Sequence, residues 1–131
     1  MIALDTNILL RLWLRDDEAQ FQQAAKLLAP LQGQVACILL CDVVLAESVW
    51  ALRTAYGRSK RDVLLALEAT LAQPAYAFED RSVVNAALHL FRDSSADFAD
   101  CLVACRSAAA GAEFIATFDR KMKGIPGVRL L

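Results

Sequence analysis

The sequence predicts an α/β fold built on a central, mostly parallel sheet of four to five strands covered by helices on both faces. Three observations carry this. Short apolar runs of strand length alternate with longer segments whose apolar residues recur every three or four positions. The clearest run, Val35-Ala36-Cys37-Ile38-Leu39-Leu40, does not alternate apolar with polar, as a strand buried on both faces would not. Two runs end abruptly in hydroxyl and acid, Asp5-Thr6 near the start and Thr117-Phe118-Asp119 near the end. Open parallel sheets place their ligand sites outside such strand ends.

Composition narrows the possibilities. The 131 residues suit one domain, and a chain of that size buries enough surface to need no staples. Apolar residues make up 57% and mean hydropathy is +0.39, yet no run approaches the length of a membrane span. The surplus, with aromatics such as Trp13, Phe21 and Trp50, predicts a second buried face and hence a homodimer. Net charge is −1, which excludes a constitutively basic nucleic-acid binder. A polyanionic substrate would need bound cations or local basic patches. Cys37, Cys41, Cys101 and Cys105 form no C-x-x-C, and the single histidine, His89, is remote in sequence, so they read as small buried hydrophobes. Asp5 interrupts any leader-like apolar segment, and the expected location is cytoplasmic.

The elements follow in order. Ile2-Ala3-Leu4 is a buried strand stopped by Asp5-Thr6-Asn7; Asp5 or Thr6 equally well caps the next helix. Ile8 to Leu14 is a short helix. Asp16, Asp17 and Glu18 are dipole-favoured charges opening a second, which carries Phe21, Ala24, Ala25, Leu27 and Leu28 on one face and ends at Pro30 and Gly33. Val35 to Leu40 is the second strand, Asp42 a cap, and Val43 to about Tyr56 a helix closed by Gly57. Glu47 lies among Val43, Val44, Trp50 and Ala51, an apolar setting awkward for an unpaired carboxylate: it is either a stripe-edge residue that reaches water or a functional acid, the latter favoured because the helix follows a buried strand. Ser59 to Leu71 is a capped helix, with Arg58, Lys60 and Arg61 a local basic patch and a candidate for phosphate contacts.

Pro74 breaks the chain before a short strand, Tyr76-Ala77-Phe78. Glu79 to Arg92 is a helix with Val83, Val84, Ala87, Leu88 and Phe91 inward and His89 beside that stripe. Ser94 or Ser95 caps the next helix, with Asp97 in its first turn, and the helix runs to Ala110. Asp100 lies three residues on and is a second carboxylate beside apolar neighbours. Glu113 to Thr117 and Val128 to Leu131 complete the strands.

Asp5 and Asp119 end strands; Glu47 and Asp100 lie early in helices that follow strands or crossovers. Right-handed crossovers bring all four, with Asp97, to one sheet edge. Carboxylates gathered without a cation repel one another, and oxygen-rich clusters suit Mg²⁺ or Mn²⁺. Such ions activate water and stabilise a phosphoryl transition state, which points to metal-dependent phosphodiester hydrolysis.

Asp5-Thr6-Asn7, Glu47, Ala96-Asp97-Phe98-Ala99-Asp100 and Thr117-Phe118-Asp119 together resemble the PIN-domain family, and within it the VapC-type toxins of bacterial toxin–antitoxin pairs. The resemblance spans nearly the whole chain. It implies one PIN-like nuclease domain over residues 1–131, a three-layer α/β/α sandwich, Mg²⁺- or Mn²⁺-dependent endoribonuclease activity on RNA, with tRNA among the substrates to test, and a cognate antitoxin as partner. Carried over, Asp5, Glu47 and Asp100 match the main metal-site acids, Asp119 a more variable fourth, and Asp97 an acid of one subgroup. Thr6, Asn7 and Thr117 match supporting polar positions. A haloacid-dehalogenase-like phosphatase needs an acid where Asn7 stands. A non-catalytic PIN-like module that only binds RNA or protein remains the rival from another class.

Overall fold

Five strands and six α-helices make the fold mixed α/β, and every strand pair is parallel. The computed structural model describes residues 1–131. By packing it consists of two compact units, Met1–Glu79 and Asp80–Leu131. The five predicted strands are all present, but in ladders of three and two.

In the first unit, β1 (Ile2–Ala3), β2 (Ile38–Leu40) and β3 (Tyr76–Phe78) pair in the order β1-β2-β3. Helix α1 (Thr6–Leu14) follows β1, α2 (Glu18–Leu28) follows α1, and α3 (Asp42–Thr54) and α4 (Lys60–Ala72) link β2 to β3. The predicted strand from Val35 is shorter than its apolar run. Ala36 sits in the left-handed region at φ 51, and Val35 is 75% exposed. The amides of Cys37 and Ile38 both donate to the Ala75 carbonyl, so the regular ladder starts only at Ile38. An apolar run does not reveal where a backbone must turn.

Local chemistry fixes the helix ends. Asp17 caps α2 by accepting from the Gln20 amide, and Ser59 and Asp62 form a reciprocal capping box at α4. Asp42 opens α3 rather than capping it; its amide donates to the Glu79 carboxylate at 2.6 Å. The first unit buries Leu9, Leu40, Leu45, Val63 and Leu67. Trp13 gives its indole N–H to Thr70 at 3.0 Å. The Arg15 guanidinium covers Phe21 at 4.1 Å and pairs with Glu18, holding that carboxyl down at about 2. Arg11 pairs with Asp16. Trp13 and Phe21 are thus satisfied within the unit, and Trp50 alone of the three expected surplus aromatics is bare.

In the second unit, α5 (Arg81–Asp93) and α6 (Phe98–Ala109) pack on one another, and β4 (Ile115–Thr117) pairs with β5 (Val128–Leu130). Helix α5 starts later than expected because Asp80 caps it, accepting from the amides of Ser82 and Val83. Val84, Ala87, Phe91, Phe98 and Cys101 are buried. Phe91 and Phe98 meet edge to face at 5.8 Å, and Arg129 covers Phe114 at 3.6 Å. The four cysteines are free thiols, Cys37 and Cys101 buried. No helix is long and apolar enough to cross a membrane.

Candidate active site

The first unit carries Asp5 and Glu47. Asp5 follows β1 and is also the N-cap of α1: its Oδ1 accepts the Thr6 amide at 2.7 Å. The strand-end and cap readings therefore hold together, and Oδ2 has no protein partner. The Thr6 hydroxyl donates to Oε2 of Glu47 at 2.7 Å. One threonine thus ties the start of α1 to the second turn of α3 across 41 residues. Asn7 lies on the wall of a groove of about 440 Å³ shared with Ile8, Arg11, Gln20 and Gln23.

Glu47 reaches water, one of the two outcomes the sequence left open. The buried stripe of α3 is Val44, Leu45, Ser48, Val49 and Leu52. Glu47 lies on the other face with Val43 and Trp50, all three exposed. No carboxylate is buried, so the awkwardness expected at Glu47 does not arise; what is out of place is the apolar pair beside it. Arg58 and Arg61 are exposed and Lys60 half-buried. This basic patch begins past the C-terminal end of α3, roughly 10 Å or more along the chain axis from Glu47 at 1.5 Å per residue.

The second unit carries Asp97, Asp100 and Asp119. Asp97 is the N-cap of α6 rather than a first-turn residue, and its side chain makes no capping bond. Ser94 instead accepts from the Ala96 amide, shaping the turn before the cap. Thr117 ends β4 and accepts the Asp119 amide at 3.0 Å, while Asp119 Oδ1 accepts the Lys121 amide at 2.9 Å. Thr117 therefore fixes the backbone of Asp119, whereas Thr6 holds the Glu47 side chain. None of the five acids is ion-paired, and each retains at least one oxygen with no partner.

Electrostatics link the three acids of this unit. The Asp100 carboxyl is held above its usual range, first by partial burial, then by Asp119 and Asp97, with the Asp97 backbone and Lys121 opposing. Folded Asp100 thus binds its proton more tightly than the unfolded chain does. Stability falls as pH rises from the ordinary carboxylate range through the raised value, and the loss persists to neutral pH. Asp100→Asn removes that loss. In EDTA at about pH 7 the variant should melt at or above wild type, and the gap should close once the carboxyl is protonated at low pH. A variant melting clearly lower at neutral pH would make Asp100 a structural residue.

The structure also adds one acid at a strand end. Glu79 follows β3 as Asp5 follows β1, and like Asp5 it accepts one backbone amide, that of Asp42 at the start of α3, through one oxygen. It was legible as an acid after an aromatic strand and was read as a helix start instead. His89 binds the Asn85 carbonyl from an exposed position and belongs to no cluster. No group of three or more His, Cys, Asp or Glu side chains forms a ready metal cage. Mg²⁺ does not require one, since it keeps several waters and takes one or two carboxylates.

The PIN domain family matches residues 2–128. The chain belongs to that family. The match runs through both units and includes every one of the five acids. No curated relative and no solved structure matches the chain. The PIN fold is generally that of a metal-dependent nuclease, which agrees with an oxygen-only donor set of hard carboxylates and the absence of any thiolate–imidazole pairing near them.

Proposed function

We propose that this PIN domain is a Mg²⁺- or Mn²⁺-dependent endoribonuclease, the toxin of a VapC-type toxin–antitoxin pair, in which Asp5, Glu47, Asp97, Asp100 and Asp119 serve one metal site. The observation that carries it is the state of these acids: none is paired with a cation and each keeps a free oxygen, while backbone amides hold Asp5 and Asp119 and the Thr6 hydroxyl holds Glu47. The raised Asp100 carboxyl adds to this, since a divalent cation would offset the repulsion from Asp119 and Asp97 that helps to raise it.

The residues divide the work. Thr6 holds Glu47 by one oxygen and leaves the other to face the ion or a water in its shell. The Lys121 amide holds one oxygen of Asp119, and Thr117 accepts the Asp119 backbone amide. Asn7 offers an amide to a substrate oxygen, and Arg58, Lys60 and Arg61 contact phosphates further along the strand. When bound, the divalent ion supplies an activated water and neutralises charge on the phosphodiester.

The antitoxin is then a small protein, basic near its toxin-binding end, that inhibits by placing an Arg among Asp5, Glu47 and Asp100. An arginine fork pairs carboxylates bidentately and displaces the cation in the same act. High Mn²⁺ should therefore weaken inhibition, and Asp100→Asn should weaken the complex; an antitoxin that binds the Asn variant equally well makes contact elsewhere. The chain is proposed to act in the cytoplasm as a homodimer. The test of the activity is incubation of purified protein with a panel of single-stranded and transfer RNAs in Mn²⁺. Cleavage that EDTA abolishes supports it, and RNA binding without cleavage would favour the non-catalytic module.

A further inference from the structure

A cavity of about 600 Å³ opens at the end of the β1-β2-β3 ladder remote from Asp5 and Glu47. Its walls are the C-terminal end of α2, the loop that leads into β2 and the connection from α4 into β3, all within Met1–Glu79. Asp5 lies three residues past Ile2, the partner of Ile38, so about 10 Å of strand separates the two ends. Leu28, Leu31, Val35, Ile38, Pro74 and Tyr76 supply the apolar lining. Backbone bonds stitch the walls together. The Ala36 amide donates to the Pro74 carbonyl at 2.9 Å, and the Cys37 and Ile38 amides donate to Ala75. The cavity is thus held open by the same ladder that holds the sheet. Ala36 keeps a left-handed backbone, φ 51, a conformation that a non-glycine residue holds only where its surroundings impose it. Beside it Val35 stands 75% exposed on the cavity wall.

We propose that this cavity is a binding site for an uncharged small molecule with an apolar body and one amide-like polar edge. Its volume is that of a small-ligand pocket. None of its eleven lining residues is charged, in a chain where charged residues are 22%. By contrast Arg11 lines the groove beside α1, and Arg58 and Asp62 line a third cavity. The nearest charges in sequence, Lys26 and Glu79, stay out of the lining, and Glu79 lies past the far end of β3 on the Asp42 amide. Burial pushes the Tyr76 phenol up, so that ring stays neutral too. A charged ligand would shed its hydration here with nothing to pair against. Polar recognition falls to side chains, because the wall backbone is already bonded: the Gln73 amide to the Thr70 carbonyl, and the Tyr76 amide to the Gln73 carbonyl. Gln34 gives its side-chain amide to the Pro30 carbonyl at 3.2 Å. The carboxamides of Gln32 and Gln73 have no partner. Each sets donors beside an acceptor, the complement of another amide edge.

The test is heteronuclear NMR of the whole chain with three probes of one shape and different charge: benzamide, benzoate and benzamidine. They are titrated through the millimolar range, where ligands of so few atoms bind. Benzamide should shift the side-chain amide signals of Gln32 and Gln73 and the Val35 methyls, with a Kd of about 1 mM. Benzoate and benzamidine should bind at least about tenfold more weakly. Val35→Glu changes an exposed position, so the spectrum should stay native while benzamide binding falls by about tenfold or more. Gln73→Glu, also at an exposed position, should reverse the order of the probes in favour of benzamidine, because a carboxylate pairs an amidinium. Equal binding of the three probes, no binding by benzamide, or benzamide shifts centred elsewhere would each overturn the proposal. So would a Gln73→Glu protein that keeps the wild-type order. A Val35→Glu protein that keeps benzamide affinity but sediments differently would also overturn it and assign the wall to contact between copies of the chain. None of these readouts uses RNA or metal, so the nuclease reading stands or falls separately.

Discussion

Asp5→Asn and Asp100→Asn should each lower Mn²⁺- or Mg²⁺-dependent RNA cleavage by at least about a thousandfold, the loss of several kcal/mol of transition-state stabilisation. The fold should survive both changes. Asn caps a helix about as well as Asp, so the bond from the Thr6 amide to position 5 is retained. At position 100 the substitution removes a charge that Asp119 and Asp97 already oppose. Activity and far-ultraviolet circular dichroism should therefore separate: the first lost, the second native. Cleavage by either variant within tenfold of wild type would remove that acid from the metal site.

Phe98→Ala should destabilise the protein by about 3–5 kcal/mol, a large share of the roughly 5–15 kcal/mol that holds a small domain. Phe98 is 1% exposed and meets Phe91 edge to face, so truncation opens a cavity between α5 and α6 and also loses the aromatic pair. The residue follows Asp97 and is the first of α6. Loosening it therefore frees the helix start that carries Asp97 and Asp100. Thermal and urea unfolding would read the effect, with melting lowered by about 10 °C or more. A variant within 1 kcal/mol of wild type would mean that the surroundings close over the gap.

Much of this was legible in the residues. The apolar spacing of α5 named Val83, Val84, Ala87, Leu88 and Phe91, and all five are buried. Asp5 and Asp119 stand just past the ends of β1 and β4 because apolar runs gave way there to turn-forming polar groups. The strand at Val35 was overread because burial of both faces cannot be told from an apolar approach to a turn; only the Ala36 backbone settles it. Asp97 as a cap, in place of Ser94 or Ser95, was a choice among adjacent good caps that sequence does not rank. Glu47 reaches water beside an apolar pair that is itself exposed, while the ground that singled it out, a helix following a buried strand, holds in α3 after β2. Trp50, counted from the sequence among the aromatics surplus to one core, is exposed. The Thr6–Glu47 bond spans 41 residues, a separation that no local pattern encodes.

The central claim is that acids from separate stretches of the chain hold one divalent ion. Mn²⁺ titration of the purified protein, followed by loss of the free-ion electron paramagnetic resonance signal, measures this without reference to any substrate. Wild type should bind Mn²⁺, and Asp5→Asn and Asp100→Asn should each lose most of that affinity. The double variant should lose little more than either alone, because two ligands of one ion are strongly coupled. Full Mn²⁺ affinity in either single variant, or losses that simply add, would contradict a shared site.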